Sequence, residues 1–487
     1  MSHTLERLLG EDACAPPLLA GITVTGVTAD SRAVLPGFVF VAISGSQTDG
    51  NKYVGDAVAR GAVAVITGSP TAVGMHHTIS VENPRLTLAR LAARFYGEQP
   101  ETIVAVTGTN GKTSVAVFVR QIWEQMGFRA ASLGTIGVVG PGGTSYLQNT
   151  TPDPVRLHEL VSQLRADQVK HLAIEASSHG LAQYRLDGLQ LTAAAFTNLT
   201  HDHLDYHETL DTYFAAKMRL FEELLPQGAA AVINMDTPRS AEVMARARAR
   251  GLVTFGVGRE GKDLRFVSTV RAGLEQHITL DTSAGRQSLT LPLVGEFQIS
   301  NALVAAGLVV ATGGELQLAL HALQSLKGAP GRLELVGRSD KGVSAFVDYA
   351  HTPDALETAI RALKPFAAKR LAVVFGCGGD RDRAKRPIMG EIATRLADHV
   401  IVTDDNPRSE EAKSIRNDIL VGAHNAIDIG NRAHAIRAGI ETLGAGDILL
   451  VAGKGHEPGQ IVGNSTLPFS DHEAVLAALR GVDYHAQ

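Results

Sequence analysis

The amino-acid sequence predicts an α/β fold, with parallel sheets whose two faces are covered by helices. Short runs rich in Val, Ile, Ala and Phe recur along the chain, and they are continuous rather than alternating, as in strands buried on both faces. Stretches with helical spacing separate these runs. The runs are TIVAV (102–106), HLAIEA (171–176), AAAFTN (193–198), AAAVIN (229–234), LAVVFG (371–376), HVIVTDD (399–405) and DILLVAG (447–453).

The chain is long enough for several domains. Its 487 residues correspond to about three domains of ordinary size, each able to bury a core. Two breaks rich in Gly and Pro, GEQPETI (97–103) and KGAPGRLE (327–334), lie where domain joints would be. We therefore expect domains at 1–98, 99–332 and 333–487.

Composition excludes several classes of protein. The N-terminal segment lacks a basic region followed by an apolar one, and no long apolar window occurs, so neither a signal peptide nor a membrane span is expected. The two cysteines, Cys14 and Cys377, are too few for a disulfide framework or a zinc cluster, which favours a reducing cytoplasmic location. The formal net charge of −5 argues against a general nucleic-acid binder.

The most specific motif is VTGTNGKTS (106–114), which follows a predicted strand and precedes a predicted helix. Glycines leave backbone N–H groups open to a polyphosphate, Lys112 can reach its terminal phosphates, and the Thr113 hydroxyl can ligate Mg²⁺. A strict Walker A motif would have glycine at the position of Val106. The motif predicts nucleotide binding; an ordinary strand-to-helix turn is the alternative.

Glu175 ends the apolar run HLAIEA. A carboxylate at the end of a buried strand is costly unless it is paired or bound to a cation. Because the phosphate loop follows another strand of the same predicted sheet, we interpret Glu175 as a Mg²⁺ ligand. A solvated acid at a strand end is the alternative.

A cluster of histidines and acids in TNLTHDHLDYH (197–207) allows a different interpretation. His201, His203, Asp205 and His207 approach the HxHxDH spacing of dinuclear zinc hydrolases, but Tyr206 adds one residue to that spacing. Imidazoles suit zinc, whereas oxygen-rich sites suit Mg²⁺. A zinc hydrolase would leave the phosphate loop unexplained, and a regulatory nucleotide switch is a further alternative.

Polar motifs follow the strands at their C-terminal ends. TGTNGKTS, SSHG, CGGDRDRAKRP, DDNPR and KGHE each come directly after an apolar run. In open parallel sheets, ligands bind beyond the carboxyl ends of the strands. The strands are therefore expected to hold these groups at a ligand site.

These motifs, taken together and in order, resemble the Mur ligases, ATP-dependent amide-forming enzymes of peptidoglycan precursor synthesis. The resemblance spans essentially the whole chain and rests on GTNGKT, EASSHGL, TNLTHDHLDYH, YFAAKMRL, FQISNALVA, GRLE, VDYAHTPDAL and GCGGDRDRAKRP. It implies a UDP-sugar-binding N-terminal domain, a central P-loop-type ATPase domain and a C-terminal Rossmann-like domain that binds an amino acid. TADSR, GSQTDG, DNPR and GKGHE resemble the members that add meso-diaminopimelate to UDP-N-acetylmuramoyl-L-alanyl-D-glutamate.

The resemblance implies a division of roles at the nucleotide. Lys112, Lys217 and His203 would be catalytic, with Lys217 carbamylated to a carboxylate-like group, and Thr113, Glu175 and His203 would hold Mg²⁺. Without the resemblance, Lys217 would be taken for an exposed helix lysine. The residues expected to bind ATP are Thr107, Gly108, Thr109, Asn110, Gly111, Lys112, Thr113, Asn301, Arg332 and Asp348.

Two further sets of residues match substrate positions of the family. The UDP-sugar dipeptide would contact Ala29, Ser31, Ser46, Gln47, Thr48, Asn149, Thr150, Thr151, Ser177, Gln183 and Arg185. Diaminopimelate would contact Arg383, Asp405, Asn406, Pro407, Arg408, Gly453 and Glu457. A monomer is expected.

The arginine of DNPR separates two possible amino-acid substrates. Diaminopimelate is in effect lysine with a carboxylate on its far carbon, and Arg408 can bind that carboxylate through two hydrogen bonds. Asp405 and Asn406 remain for the neighbouring ammonium, and a solvated turn is the alternative for DDNPR. Lysine-adding family members depart from this pattern at the arginine, which this chain keeps.

Overall fold

The protein has a three-domain α/β fold, which confirms the predicted fold class. The computed structural model describes residues 3–45, 48–68, 77–147, 149–200 and 202–485, apart from the side chains of Leu204 and Asp205. The chain divides into two compact units. The first comprises residues 1–266, 281–284 and 303–322, and the second comprises 267–280, 285–302 and 323–487. The three domain boundaries given above stay a prediction.

The N-terminal part of the first unit contains a parallel sheet with strand order β3-β4-β5-β6. Helix α3 begins where the Asn83 side chain accepts a hydrogen bond from the Leu86 N–H and Pro84 occupies the first turn. It ends at Gly97, whose φ is +79°. The elements are β1 (His3–Thr4), α1 (Leu5–Leu9), β2 (Thr23–Val24), β3 (Gly26–Thr28), β4 (Phe38–Ala42), α2 (Val54–Ala59), β5 (Ala64–Thr67), β6 (Thr78–Ser80) and α3 (Pro84–Tyr96).

The central sheet has the order β10-β9-β8-β11-β7-β12-β13-β14, and its strands from β8 to β14 in that order are parallel. Their side chains are almost all buried, as the continuous apolar runs predict. The elements are β7 (Thr102–Thr107), α4 (Lys112–Gln125), β8 (Ala130–Gly134), β9 (Gly137–Gly140), β10 (Gly143–Ser145), α5 (Pro154–Ala166), β11 (His171–Glu175), α6 (Ser178–Ala182), β12 (Ala193–Phe196), α7 (Leu204–His207), α8 (Leu210–Arg219), β13 (Ala230–Asn234), α9 (Ser240–Ala249) and β14 (Val253–Gly258).

Residues 264–322 are divided between the two units. Strand β15 pairs in parallel with β14 through Leu264 and Arg265, and the strand order continues through β16 and β17. The elements of this segment are β15 (Leu264–Ala272), β16 (Glu275–Thr282), β17 (Gly285–Leu291), α10 (Glu296–Ala311) and α11 (Leu316–Ala322).

The second unit contains a six-stranded sheet of order β18-β19-β23-β20-β21-β22, parallel except for the β18 edge strand. Apolar clusters cover both of its faces. Its elements are β18 (Glu334–Arg338), β19 (Ser344–Asp348), α12 (Pro353–Leu363), β20 (Leu371–Phe375), α13 (Lys385–Leu396), β21 (His399–Val402), α14 (Ala412–Leu420), β22 (Ile427–Asp428), α15 (Arg432–Glu441), β23 (Ile448–Ala452), β24 (Gly459–Val462), β25 (Ser465–Pro468) and α16 (Asp471–Leu479).

Each of the seven apolar runs contains a strand, and in all but one the strand begins and ends within two residues of the ends of the run. The exception is HVIVTDD, where β21 stops at Val402 because the Asp404 N–H bonds to the Gly430 carbonyl instead of continuing the ladder. Thr403, Asp404 and Asp405 therefore lie beyond the strand. Among the described residues, no helix is long and apolar enough to span a bilayer.

Candidate active site

The loop between β7 and α4 is held by the residues that follow β12. Thr109 N–H donates to the Asn198 carbonyl at 2.9 Å, and Asn110 N–H donates to Asn198 Oδ1 at 2.9 Å. Gly108 has φ +145°, and a Cβ there would lie 1.9 Å from Thr197 Oγ1, so only glycine fits. Gly111, in the left-handed region, then turns the chain into α4. The first-turn N–H groups of α4 thus face the loop, as anion-binding helix starts do.

Lys112 lies over its own loop. Its Nζ donates to the Gly108 and Thr109 carbonyls, at 2.8 and 2.7 Å. This places a cation at the start of α4, where the helix dipole also favours an anion. Sequence reasoning anticipated the lysine and Thr113, but not Asn198, which follows a neighbouring strand and carries no recognisable phosphate-binding pattern by itself.

Glu175 is 2% exposed and is surrounded by donors. Its carboxylate accepts hydrogen bonds from Thr113 Oγ1 at 2.9 Å, Thr135 N–H at 2.7 Å and Thr135 Oγ1 at 3.1 Å. A Cβ on Gly134 would lie 2.0 Å from Glu175 Oε1, so the close approach of β8 requires glycine. The arrangement puts a carboxylate and two hydroxyl oxygens together, a donor set that suits a hard cation.

Lys217 is buried rather than exposed, with 1% of its surface accessible. Its Nζ donates to the Gly108 carbonyl at 2.8 Å and lies 4.2 Å from the centre of the Tyr213 ring. Burial, and secondarily the nearby positive charge of Lys112, holds the pKa of Lys217 well below its usual range. The structure thus places beside the phosphate loop a lysine that loses its proton more readily than usual, and the neutral amine can react as a nucleophile.

The histidines near α7 lie close to one another. The His179 ring is 5.0 Å from that of His203 and 5.5 Å from that of His207, measured between centroids. His203 has a positive φ of +53° and lies 3.5 Å from the Asp202 carboxylate. His201 and the Asp205 side chain lie outside the described residues. Over the part of the chain that is described, no three His, Cys, Asp or Glu side chains form a metal-binding group.

The residues predicted to hold the dipeptide form one hydrogen-bonded group. Thr151 Oγ1 donates to the Glu175 carbonyl and lies 2.9 Å from Ser177 Oγ. Arg185 donates to the Thr151 carbonyl at 2.6 Å and to Gln183 Oε1 at 2.8 Å. The Glu175 backbone thus connects these side chains to the carboxylate site.

The remaining predicted substrate residues are less connected. Thr150 Oγ1 lies 3.0 Å from Thr135 Oγ1, and Asn149 is exposed. Ala29 and Thr48 are exposed, and Ser31 begins a short 3₁₀ turn capped by Asp30. Ser46 and Gln47 lie outside the described residues.

Asn301, Arg332 and Asp348 come together in the second unit. Asn301 Nδ2 donates to Gln298 Oε1, and Gln298 Nε2 donates to the Arg332 carbonyl. Asp348 accepts hydrogen bonds from the Leu333 and Ala350 N–H groups at 2.6 and 2.8 Å. Burial raises the pKa of Asp348 to about 6, although the charge of Arg332 acts in the opposite direction.

DNPR forms a rigid turn against β24. Arg408 has φ +52°; its N–H donates to the Ile461 carbonyl at 3.0 Å, and its carbonyl accepts from Gly463 N–H at 2.7 Å. The guanidinium is half-buried and donates to the Gly379 carbonyl at 2.8 Å. Pro407 fixes the backbone before it. The guanidinium is therefore positioned by the glycine-rich loop that follows β20.

Asp405, Asn406 and Glu457 meet at the ends of β21 and β23. Asn406 Nδ2 donates to Glu457 Oε2 at 2.8 Å. Asp405 is 7% exposed, and its Oδ2 has no hydrogen-bond partner among the described atoms. Burial raises the pKa of Asp405, against the lowering effect of Arg432 and Lys454. Gly453, at φ +117°, is required here because a Cβ would lie 2.5 Å from Asp405 Oδ2.

Arg383, by contrast, is largely exposed: 71% of its side chain is accessible, and it pairs with Glu410 at 3.0 Å. Glu410 also binds the fully buried Arg386 and the Asp380 N–H. Arg383 thus lies on the exposed side of the loop that carries Gly379, where it pairs with Glu410.

Besides Asn198, sequence reasoning missed three side chains of the site. Lys454 is fully buried, and its position between Gly453 and Glu457 in GKGHE was the signal that could have identified it. Tyr213 and Thr135 had no distinguishing signal, since one occurs in a helix with apolar periodicity and the other in a glycine-rich turn.

Comparisons with known proteins agree with this geometry. Family models for the Mur ligase family catalytic domain, the Mur ligase middle domain and the Mur ligase glutamate ligase domain match residues 23–96, 106–309 and 331–455. The chain is 54% identical over 479 residues to the UDP-N-acetylmuramoyl-L-alanyl-D-glutamate–2,6-diaminopimelate ligase of Bradyrhizobium diazoefficiens, covering 98% of this chain and 99% of that protein. The protein of the same name from Caulobacter vibrioides is 49% identical over 491 residues, covering 99% and 100%.

Solved structures show the same relationship. A UDP-N-acetylmuramoyl-L-alanyl-D-glutamate–2,6-diaminopimelate ligase superposes with a TM-score of 0.74 at 32% identity, covering 99% of both chains. A folylpolyglutamate synthase from Mycobacterium tuberculosis gives a TM-score of 0.61 at 18% identity over 76% of this chain and 92% of that one, which indicates a shared fold alone.

Proposed function

The chain belongs to the Mur ligase family, and we propose that it is the ATP-dependent ligase that joins meso-diaminopimelate to the D-glutamate of UDP-N-acetylmuramoyl-L-alanyl-D-glutamate. The reaction forms an amide in cytoplasmic peptidoglycan precursor synthesis. The named relatives support this activity over the whole chain length. The side chains around DNPR support diaminopimelate as the amino acid that is added.

The substrate carboxylate must first be activated, because its oxygen is too poor a leaving group to be displaced by an amine. The γ-phosphate of ATP is transferred to the substrate carboxylate, which yields an acyl phosphate and ADP. The amine of diaminopimelate attacks the acyl carbon, the amine proton leaves, and phosphate departs from the tetrahedral intermediate. The protein positions these groups and neutralises their charge.

The nucleotide end of the reaction belongs to the loop 107–113. Lys112 and the first-turn N–H groups of α4 would bind the β- and γ-phosphates. In the second unit, Asn301, Arg332 and Asp348 would contact the nucleotide.

Mg²⁺ fits the residues around Glu175. The buried carboxylate and the Thr113 hydroxyl lie 2.9 Å apart, and oxygen donors of this kind suit Mg²⁺. His203 would contribute a further ligand. The bound ion would supply charge neutralisation for the phosphates.

Lys217 would act as a carbamate. Burial holds the pKa of this amine well below its usual range, and in its neutral form it can add to CO₂ with loss of a proton, which would leave an anion beside the phosphate loop. The resulting group would help to hold a second Mg²⁺.

Two groups of residues would bind the nucleotide-sugar substrate. The hydrogen-bonded set of Thr151, Ser177, Gln183 and Arg185 would hold the muramoyl dipeptide, with the guanidinium facing substrate carboxylates. Thr150 and Asn149 would extend it. The N-terminal residues Ala29, Ser31, Ser46, Gln47 and Thr48 would contact the UDP part.

One observation carries the choice of amino acid: the strand end 405–408 holds a guanidinium, a buried carboxylate and a side-chain amide together. Diaminopimelate presents a carboxylate and an ammonium on its far carbon, so both charges would be matched. Lysine lacks that carboxylate and would leave the arginine unpaired.

Phosphate release tests the proposal. Purified protein is incubated with ATP, Mg²⁺, the UDP-muramoyl dipeptide and diaminopimelate, with each component omitted in turn. We expect phosphate and the tripeptide product, identified by mass, only in the complete mixture. Release without the dipeptide would contradict the ligase proposal, and tightly bound zinc in near-stoichiometric amount would favour a zinc hydrolase.

The molar mass in solution, measured by light scattering, tests the expected monomer.

The proposal also gives the protein no nucleic-acid partner, consistent with its net charge of −5.

A further inference from the structure

Around Asp405 lie three carboxylates and two buried cations, besides the half-buried Arg408. Lys454 and Arg432 are the two buried cations, and Asp405, Glu457 and Asp471 are the three carboxylates. Arg432 makes a bidentate, fully buried pair with Asp471, at 2.6 and 2.7 Å. Lys454 pairs with Glu457 at 3.1 Å. Asp405 is therefore the carboxylate without a partner of its own.

Lys454 also determines how the Asn406 amide is oriented. Asn406 Oδ1 accepts hydrogen bonds from Lys454 Nζ at 3.0 Å and from Ile461 N–H at 2.9 Å. Lysine ammonium and backbone N–H groups can only donate, so the amide oxygen of Asn406 must face them. Its Nδ2 therefore faces Glu457, to which it donates at 2.8 Å. Lys454 is 0% exposed and cannot exchange these contacts for water.

We propose that Lys454 is a positioning residue of the diamine pocket, which holds Asn406 and Glu457 in place and keeps Asp405 as the one uncompensated acceptor for the substrate ammonium. This inference rests on the proposed function and deepens it. The lysine does not contact the reacting atoms; it acts through Asn406 and Glu457. Its buried cation pairs with Glu457, so Asp405 is left to face the substrate ammonium while the Arg408 guanidinium faces the substrate carboxylate.

Loss of Lys454 would leave two uncompensated carboxylates near each other. The charge of Glu457, no longer offset by the lysine, would then raise the pKa of Asp405 further. Other charged or titratable groups around Asp405 and Glu457 are Arg432, Asp471, Arg408, Arg332, Lys385, Arg386, Tyr349, His351 and Cys377. Among the described residues, none of these groups forms an ion pair with Glu457, whereas Lys454 does, at 3.1 Å.

Steady-state kinetics with Lys454→Met tests the inference. Methionine keeps about the length and the apolar stem of lysine but removes its charge and its hydrogen-bond donors. We expect KM for diaminopimelate to rise by at least about tenfold, from the loss of a charge-assisted contact, with KM for ATP and for the dipeptide substrate changed less than about twofold. Lys413→Met, on the exposed face of α14, is the matched control.

The pH profile provides a readout that a purely structural role would not change. In Lys454→Met, the acidic limb of kcat/KM for diaminopimelate should move upward by about one pH unit, because a carboxylate pair without its cation binds a proton more tightly. Lys454→Gln, which keeps a donor but no charge, should show the same shift with a smaller rise in KM.

The outcomes separate the two proposals. The role of Lys454 would be overturned if Lys454→Met changed all three KM values equally. It would also be overturned if the variant kept a normal KM for diaminopimelate and an unmoved acidic limb of the kcat/KM profile. Absence of diaminopimelate-dependent phosphate release by the unmodified protein would overturn the proposed function instead. If Lys454→Met does not fold, the glutamine variant alone decides, by the same two measurements.

Discussion

At the scale of single residues, the site consists of buried charges whose neighbours determine their state. Burial near Lys112 holds the pKa of Lys217 well below its usual range, and Asp405 Oδ2 lies where β21 ends with no hydrogen-bond partner among the described atoms. Sequence motifs supplied the residues that we propose to carry the chemistry. They did not identify Asn198, which is recognisable only from its contacts, or Lys454, for which its place in GKGHE was the one available signal.

Lys112→Ala should abolish turnover. The substitution removes the cation at the start of α4, so the charge developing on the transferred phosphoryl group loses its stabilisation. We expect a fall in kcat of about 10³-fold or more, measured by phosphate release, with an unchanged melting temperature. Lys112→Arg serves as the charge-conserving control. Near-normal turnover by the alanine variant would mean that the loop does not bind the nucleotide.

Lys217→Ala should lower activity and be partly rescued by a short carboxylic acid, because the acid would occupy the space of the lost carbamate. The rescue is measured as the dependence of phosphate release on added formate or acetate. Lys217→Met, which fills that space, should show no rescue. Equal responses of both variants to the acid would count against a carbamate.

Arg408→Ala should raise KM for diaminopimelate by about 100-fold, the cost of losing a bidentate charge-assisted pair, while KM for ATP stays within about twofold. Initial rates over a range of each substrate give both values. Arg395→Ala, in the last turn of α13 with a half-exposed side chain, is the matched control, because it removes an arginine of the same unit away from DNPR. Similar increases in both KM values would make Arg408 a purely structural residue.

At the scale of elements, the parallel strands bring distant motifs to one edge of each sheet. The apolar runs predicted the strands well because buried parallel strands require continuous hydrophobicity. The exact end of β21 was not predictable, since it depends on a hydrogen bond from Asp404 to Gly430 on a different segment. The same limit applies to Thr135, which reaches Glu175 only because β8 and β11 are neighbours.

Helix α5 offers a test of local stability away from the nucleotide loop. The exposed Asp153 side chain accepts hydrogen bonds from the Val155 and Arg156 N–H groups, both at 3.1 Å, and so caps the helix. Asp153→Ala should lower the free energy of unfolding by about 1 kcal/mol, measured by denaturant titration. Asp153→Asn, which retains the cap, should have little effect, and an equal loss in both variants would contradict this assignment.

At the scale of the whole molecule, the chain forms a three-domain α/β fold in which many of the proposed ligand-binding residues follow strands. The fold class followed from the apolar runs, but the division of residues 264–322 between two compact units could not be read from the sequence. It depends on long-range packing of short segments, for which periodicity carries no signal.

Acid should destabilise the protein through His158. This histidine is 2% exposed, with Nε2 at 3.0 Å from the Asp187 carbonyl, and burial lowers its pKa from 6.5 to about 4. The unfolded chain therefore binds a proton between these pH values and the folded one does not. The stabilisation is complete above pH 6.5 and is lost as the pH falls toward 4, by at most about 3 kcal/mol.

Denaturant titrations at several pH values measure this effect. His158→Gln, which keeps a polar group but does not titrate, should flatten the fall in stability between pH 6.5 and 4. An unchanged pH dependence would mean that other groups produce the acid sensitivity.

The most direct test of the account compares two amines in one assay. Phosphate release by the unmodified protein is measured with ATP and the UDP-muramoyl dipeptide, and with either meso-diaminopimelate or L-lysine as the acceptor. Because lysine leaves Arg408 unpaired, kcat/KM should favour diaminopimelate by roughly 10⁴-fold. Equal or preferential use of lysine would contradict the assignment of Arg408 to the distal carboxylate, and with it the substrate proposed for this protein.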